Sequence, residues 1–189
     1  MLTGKRILLR ALEREDLKLI HKWQNDEEVM RLARSQPDHA ISMEALAAEL
    51  EKNLKGEDAT TRRFGIEEKS SEKLIGWCSI SYSSWAKRYT SADIGLAIGE
   101  KDLWRKGYGT EVVGLLLKEA FEQLNLHRAG WWTYAENKAS IALAEKMGFK
   151  EEGRMRENVF FDNSFHDTVV LALLKNDYDR SQKGRQNRF

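Results

Sequence analysis

Between residues 92 and 110 a strand-like run, Ala92-Asp-Ile-Gly-Leu-Ala-Ile98, leads through Trp104-Arg-Lys-Gly-Tyr-Gly-Thr110 into a helical pattern. A glycine turn that opens a helix offers an anion main-chain N–H groups without helical partners, together with the positive end of the helix dipole. Gly107 and Gly109 can take backbone conformations closed to other residues and let a ligand approach the chain, while Arg105 and Lys106 add positive charge. The spacing is neither G-x-G-x-x-G nor a glycine run ending in G-K-[ST], so the dinucleotide and P-loop motifs are excluded and a different phosphate ligand is required. Further along, Asn137 and Ser140 stand three apart at a helix start, Glu136 ends the strand before it, and Asp93 is the acid within the strand that precedes the glycine turn. Carboxylates so placed could accept a proton and a hydroxyl could donate a hydrogen bond to a leaving group. The plainer alternatives are helix capping for Asn137 and Ser140 and a neighbouring ion pair for Asp93.

The rest of the chain limits what such a site serves. A length of 189 residues suits one domain, read here as residues 1–176, with a polar, flexible tail over 177–189. Thirty-one Lys and Arg against thirty Asp and Glu leave a net charge of +1, which offers no global field for nucleic acid or an anionic membrane. Lys183, Arg185 and Arg188 form only a local basic cluster in the tail. No apolar run approaches the roughly 20 residues of a membrane span, and the first twenty residues are densely charged, so a cytoplasmic protein is expected. The single Cys78 lies in a strand-like stretch and reads as a packed small side chain. His21, His39, His127 and His166 lack metal-ligand spacing, and no metal is expected.

Period and punctuation place the elements that must carry the site. Lys5–Leu12 alternates as a strand, Arg14–Trp23 is a helix, and Ser42 caps a second helix through Leu54 that Gly56 stops. Arg62–Glu68 and Lys73–Ser81 flank a polar hairpin turn, Ala92–Ile98 is the fourth strand, and Thr110–Leu124 is an amphipathic helix. Ala129–Ala135 is the fifth strand, Lys138–Met147 a helix ended by Gly148, and Lys150–Phe161 with Phe165–Leu174 a hairpin around Asp162-Asn163-Ser164. The pattern is an α/β layer structure whose mixed sheet carries hairpins and strand–helix–strand crossovers. Among the aromatics, Trp77, Tyr82, Trp131, Trp132, Phe160 and Phe161 read mainly as core, whereas Trp85 and Tyr89 lie in a polar connection and are candidates for a substrate wall.

Strand, glycine turn and helix at 92–124, followed by a strand, Asn137-Lys-Ala-Ser140 and Glu145-Lys-Met-Gly-Phe149, resemble the GNAT superfamily of acyl-CoA-dependent N-acetyltransferases. Trp104-Arg-Lys-Gly-Tyr-Gly-Thr-Glu111 and the early Asp16…Trp23-Gln-Asn-Asp-Glu-Glu-Val29 are most similar to the branch holding the ribosomal-protein N-terminal and spermidine acetyltransferases, over about residues 5–176. The resemblance implies a mixed, mostly antiparallel sheet of about seven strands, splayed between the fourth and fifth and flanked by about four helices. It also implies acetyl-CoA as co-substrate, a primary amine on a protein N-terminus, polyamine or amino sugar as acceptor, and a second copy of the chain as an admissible partner.

The same resemblance distributes roles over this sequence. The pyrophosphate falls to the amides of Trp104, Arg105, Lys106, Gly107, Tyr108, Gly109 and Thr110, with Trp104 in place of the family's polar first residue. Oxyanion and pantetheine contacts fall to main-chain groups at a bulge over Leu96, Ala97 and Ile98. Gly95 and Gly99 fit such a distortion, and close packing would explain them equally. Many relatives carry a tyrosine acid where this chain has Ala144; the branch resembled here has Asn137 for the pantetheine arm and Ser140 for the departing sulfur. Asp93 is the first choice for the base and Glu136 the alternative. Trp23, Asp26 and Glu28 match the segment that roofs the acceptor cleft, where the two acids could hold a cationic amine. The competing function is an acyl-CoA-binding module without catalysis, which the absent tyrosine keeps open.

Overall fold

A computed structural model describes residues 1–32, 40–55, 60–82 and 90–186. In chain order the elements are β1 (Leu2–Thr3), β2 (Ile7–Arg10), α1 (Leu17–Gln24), α2 (Glu27–Met30), α3 (Met43–Leu54), β3 (Thr61–Glu68) and β4 (Lys73–Tyr82). They continue as β5 (Ser91–Ile98), α4 (Tyr108–Lys118), β6 (Arg128–Tyr134), α5 (Lys138–Lys146), β7 (Lys150–Phe161), β8 (Ser164–Leu174) and α6 (Lys175–Gln186). The strands form one mixed, mostly antiparallel sheet of eight in the order β1-β2-β3-β4-β5-β6-β8-β7. The eighth strand beyond the expected seven is the two-residue β1, too short for any alternation to register. The chain divides into two units, one of Met1–Ser81 with Gly95–Leu115, the other of Tyr82–Ile94 with Leu116–Phe189.

In the first unit β1 to β4 are joined antiparallel, with Leu9 opposite Ile66 and Phe64 opposite Cys78. Alternation buries Ile7, Leu9, Ile66 and Ile80 on the core side. Ile20 and Trp23 of α1, Val29 of α2, Leu46 of α3 and Leu74 of β4 form a second cluster, with the two α1 residues at helical spacing. Ser42 caps α3 by accepting from the Ala45 amide at 3.1 Å, as its position before an apolar period predicts. Gly56, the expected stop, lies outside the described residues. Cys78 is buried, and burial pushes its thiol well above the ordinary range, in keeping with a packing residue.

In the second unit the β5–β6 ladder is parallel and short, joining Ser91, Ala92 and Asp93 to Arg128, Ala129 and Gly130, while β6 continues to Tyr134 against β8. The β7–β8 hairpin turns at Asp162 (φ 47°) and Asn163 (φ 57°), two residue types that tolerate the left-handed region a tight hairpin needs. Gly148 (φ 97°) ends α5, and the Phe149 amide reaches back to the Ala144 carbonyl at 3.0 Å. The helix expected to run to Leu124 instead closes in a π-helical turn over Glu119–Gln123, with the Leu124 amide on the Glu119 carbonyl. Where the composition suggests a flexible tail from 177, α6 forms. Buried Tyr178 packs on Phe121 with ring centroids 4.9 Å apart and donates to Glu122, and Lys150 pairs with Asp177. One anchoring aromatic outweighs the polar composition of the segment. Trp132 and Phe160 are 53% and 60% exposed, so the assignment of the aromatic set to the core fails at these outward positions of β6 and β7.

Candidate active site

In the first unit a single 3-10 turn, Lys101–Leu103, follows β5 and delivers the chain to Trp104, whose indole N–H donates to the Ile98 carbonyl at 2.8 Å. Arg105 (φ 60°) and Gly107 (φ 86°) both occupy the left-handed region, on either side of Lys106. Turns of this kind direct main-chain N–H groups into a concavity that holds anions. Immediately afterwards α4 opens at Tyr108, so the amides of Tyr108, Gly109 and Thr110 lack helical acceptors. Gly109 stands inside this helical turn, and the left-handed requirement therefore falls on Gly107 and Arg105 rather than on the two glycines. At Arg105 a side chain makes that conformation unfavourable by about 1–2 kcal/mol, a strain that the surroundings must offset.

Those surroundings include residues that the motif does not contain. Arg6 donates from Nη1 to the Lys106 carbonyl at 2.9 Å and from Nε to Glu111 at 3.0 Å, and its guanidinium lies 4.4 Å from the Tyr108 ring centroid. Tyr108 in turn donates its hydroxyl to Glu68, whose carboxyl is held below its usual range by that bond and by Ser71. Nothing in the local sequence signals the pairing, because Arg6 is far from the turn in the chain.

Leu96, Ala97 and Ile98 close β5. Gly76 on β4 is held to glycine because a Cβ there would overlap the Ala97 carbonyl oxygen, and Gly99 because a Cβ would enter the Trp23 ring. Close packing, the plainer of the two explanations, therefore accounts for Gly99. Trp23 itself, expected in the acceptor roof, is buried in the core, stacked on Trp77 at 6.1 Å with its N–H on Glu100 at 3.1 Å. At 1% exposure its ring is a packing residue of this unit. Asp26 caps α2 through the Glu28 and Val29 amides, and both Asp26 and Glu28 are paired with Lys101, at 2.9 and 2.7 Å. The Lys101 hydrogen bond, helped by the Val29 amide, lowers the Asp26 pKa. Asp16, also in the early pattern, is engaged structurally, accepting from Arg10 at 2.7 and 2.9 Å and from the Glu13 amide.

In the second unit Asp93 is half-buried, and burial pushes its carboxyl pKa up, with the Trp132 hydrogen bond and the Arg128 charge opposing. Trp132 Nε1 donates to Asp93 Oδ1 at 3.2 Å. Gly130 leaves room for that oxygen, which a Cβ would overlap. Arg128 is itself taken up by Glu152 in a two-armed pair, so little of its charge is left to hold Asp93 ionised. Asn137 caps α5 by accepting from the Ser140 amide at 3.0 Å, and Ser140 Oγ accepts from the Trp131 indole at 2.9 Å, leaving the hydroxyl proton to be donated. Glu136 pairs with His166 Nδ1 at 2.9 Å, and this bond lowers the Glu136 pKa while raising that of His166. A carboxylate so held is a weaker proton acceptor than Asp93. Trp85 and Tyr89 lie outside the described residues. No group of three or more His, Cys, Asp or Glu among the described residues could hold a metal ion, and no described helix is long and apolar enough to cross a membrane.

Comparison with known proteins fits this geometry. Residues 6–150 match the acetyltransferase (GNAT) domain family. The chain is 30% identical over 179 residues to the uncharacterized N-acetyltransferase YoaA of Bacillus subtilis (strain 168), covering 93% of this chain and 97% of that one. It is 29% identical over 177 residues to the spermidine N(1)-acetyltransferase of Vibrio cholerae, covering 93% and 96%. Among solved structures, a spermidine N-acetyltransferase from Vibrio cholerae in complex with CoA and spermine superimposes with a TM-score of 0.80 at 28% identity, over 93% of this chain and 99% of that one.

Proposed function

The chain belongs to the GNAT acetyltransferase family and is an acetyl-CoA-dependent acetyltransferase, and from that premise we propose that it acetylates a primary amine by direct attack in a ternary complex. The observation that carries the proposal is the anion cradle, where left-handed Arg105 and Gly107 run into the free amides opening α4. A pyrophosphate fits these donors, and Arg105 and Lys106 supply its countercharge.

Acetyl-CoA brings the acyl thioester; the amine nitrogen attacks its carbonyl carbon, a C–N bond forms and the C–S bond breaks. Three tasks then fall to the protein. Asp93 takes the ammonium proton, directly or through a water, because burial has raised its proton affinity while Trp132 fixes its orientation. Main-chain groups of Leu96, Ala97 and Ile98 receive the pantetheine and the developing oxyanion. Ser140 donates a hydrogen bond to the departing sulfur, and a thiol pKa of about 8.5 makes full protonation unnecessary. Asn137 holds the helix start and the pantetheine arm. Asp26 and Glu28 attract the positive acceptor once Lys101 swings aside.

An acceptor screen tests the proposal: acetyl-CoA with polyamines, peptides bearing Ala or Ser N-termini, and amino sugars, reading free thiol and product mass. Acetylated amine is the expected result. Tight acetyl-CoA binding without acetylated product from any of these classes would move the chain to the non-catalytic binding module.

A further inference from the structure

We propose that Arg6 is a positioning residue for the cofactor, holding the phosphate cradle in its left-handed form from outside the motif; this rests on the reading of Trp104–Thr110 as the CoA site. Three observations converge on it. The Lys106 carbonyl stands between two left-handed residues, Arg105 and Gly107, and Arg6 Nη1 donates to it at 2.9 Å. A carbonyl bonded in this way is turned toward Arg6, and the Gly107 N–H, opposite it across the same trans peptide, is turned away. Arg6 Nη2 lies 3.3 Å from where a Cβ of residue 107 would stand, so the guanidinium covers the glycine on the side that a larger residue would need. The same group lies 4.4 Å from the Tyr108 ring centroid, and Tyr108 is anchored on Glu68.

Arg6 has a second effect, which is electrostatic. Glu111 lies in the first turn of α4, where a free carboxylate would oppose an incoming anion. Arg6 meets both of its oxygens, through the main-chain N–H at 2.7 Å and Nε at 3.0 Å. The pair sets the charge one helical turn from the phosphates close to neutral. Because Arg6 acts on the turn and on Glu111, its influence falls on the phosphate end of the co-substrate and leaves the thioester end untouched.

The test compares acetyl-CoA with S-acetylpantetheine, which carries the same thioester without the pyrophosphate, in wild type, Arg6→Gln and Arg6→Gln/Glu111→Gln. Expected is a KM for acetyl-CoA raised about tenfold in Arg6→Gln, the size of one lost hydrogen bond to a charged group. Its kcat should change less than twofold, kcat/KM for S-acetylpantetheine should be unchanged, and the double variant should recover part of the KM. Arg6→Lys, which keeps the charge but cannot span Glu111 and the Lys106 carbonyl together, should fall between wild type and Arg6→Gln, and serves where Arg6→Gln does not fold. An unchanged acetyl-CoA KM in the variants, or equal losses with both donors, overturns the role of Arg6. Equal KM values for the two donors in wild type would instead overturn the cradle reading itself.

Discussion

Asp93→Asn should slow the enzyme and stabilise the protein. The half-buried Asp93 carboxylate takes one hydrogen bond from Trp132, while the neighbouring Arg128 is bound to Glu152. Burial is the largest influence and raises its pKa. A carboxyl that holds its proton more tightly in the folded chain makes stability fall as pH rises from its ordinary value near 3.9 to the raised folded value, and leaves it lower above that. Asparagine has no charge to desolvate, and its carbonyl still accepts from Trp132. The variant should therefore melt higher than wild type at pH 7, each kcal/mol of gain reading as about 2–4 °C in a chain of this size, and the difference should vanish below about pH 3.9. Turnover should fall by about 10²–10⁴ with acetyl-CoA affinity intact, the usual effect of removing a general base, and the acidic limb of the pH–rate profile should go with it. Differential scanning calorimetry at two pH values and steady-state kinetics across pH check both halves. Turnover within fivefold of wild type with the limb retained refutes the base, and a lower Tm at pH 7 refutes the desolvation argument.

Gly107→Val should abolish acetyl-CoA binding in calorimetry while circular dichroism stays native, since a β-branched residue cannot hold φ 86°; unchanged affinity would reject the cradle. Ser140→Ala and Trp131→Phe should each lower kcat about 10- to 100-fold without moving the acetyl-CoA Kd, and the double variant should be no worse than Ser140→Ala alone, because the indole acts through the hydroxyl. Additive losses would make Trp131 a packing residue. Lys101→Gln should lower the KM of a cationic acceptor by up to about fivefold by freeing Asp26 and Glu28, and an unchanged KM would mean that the acceptor does not use those acids.

Most of the fold is legible because its signals are local. Alternation over Ile7–Arg10 and the polar interval between Glu68 and Lys73 read directly as a strand and a hairpin, and Gly148 stops α5 where its sequence neighbours say it should. The elements that escape are those decided elsewhere. β1 has two residues and exists by pairing Leu2 with Leu9; α6 has a polar composition and exists by seating Tyr178 on Phe121. The π-helical turn at Glu119 is invisible for a related reason, since an i+5 bond changes the angular register of a helix without changing its residue types.

The candidate site divides along the same line. Where the proposed chemistry is delivered by the main chain, as in the proposed cradle at Trp104–Thr110, the motif lies in consecutive residues and the sequence displays it. Where side chains deliver it, partners come from distant strands, and residue type alone cannot tell a base from an ion pair: Asp93 and Glu136 look alike until one is found against Trp132 and Gly130 and the other against His166. Trp131 and Trp132 sharpen the point. Period two sends adjacent strand residues to opposite faces, so one indole is buried and the other is exposed, although the base rate for aromatics assigns both to the core. What alternation cannot foretell is that each N–H ends on a different candidate, Trp131 on Ser140 and Trp132 on Asp93. Two neighbouring tryptophans on one strand thereby orient both the proposed donor to the leaving group and the proposed proton acceptor, and this strand's outward residue, which a stability argument alone would discard, acquires a reason to remain an indole.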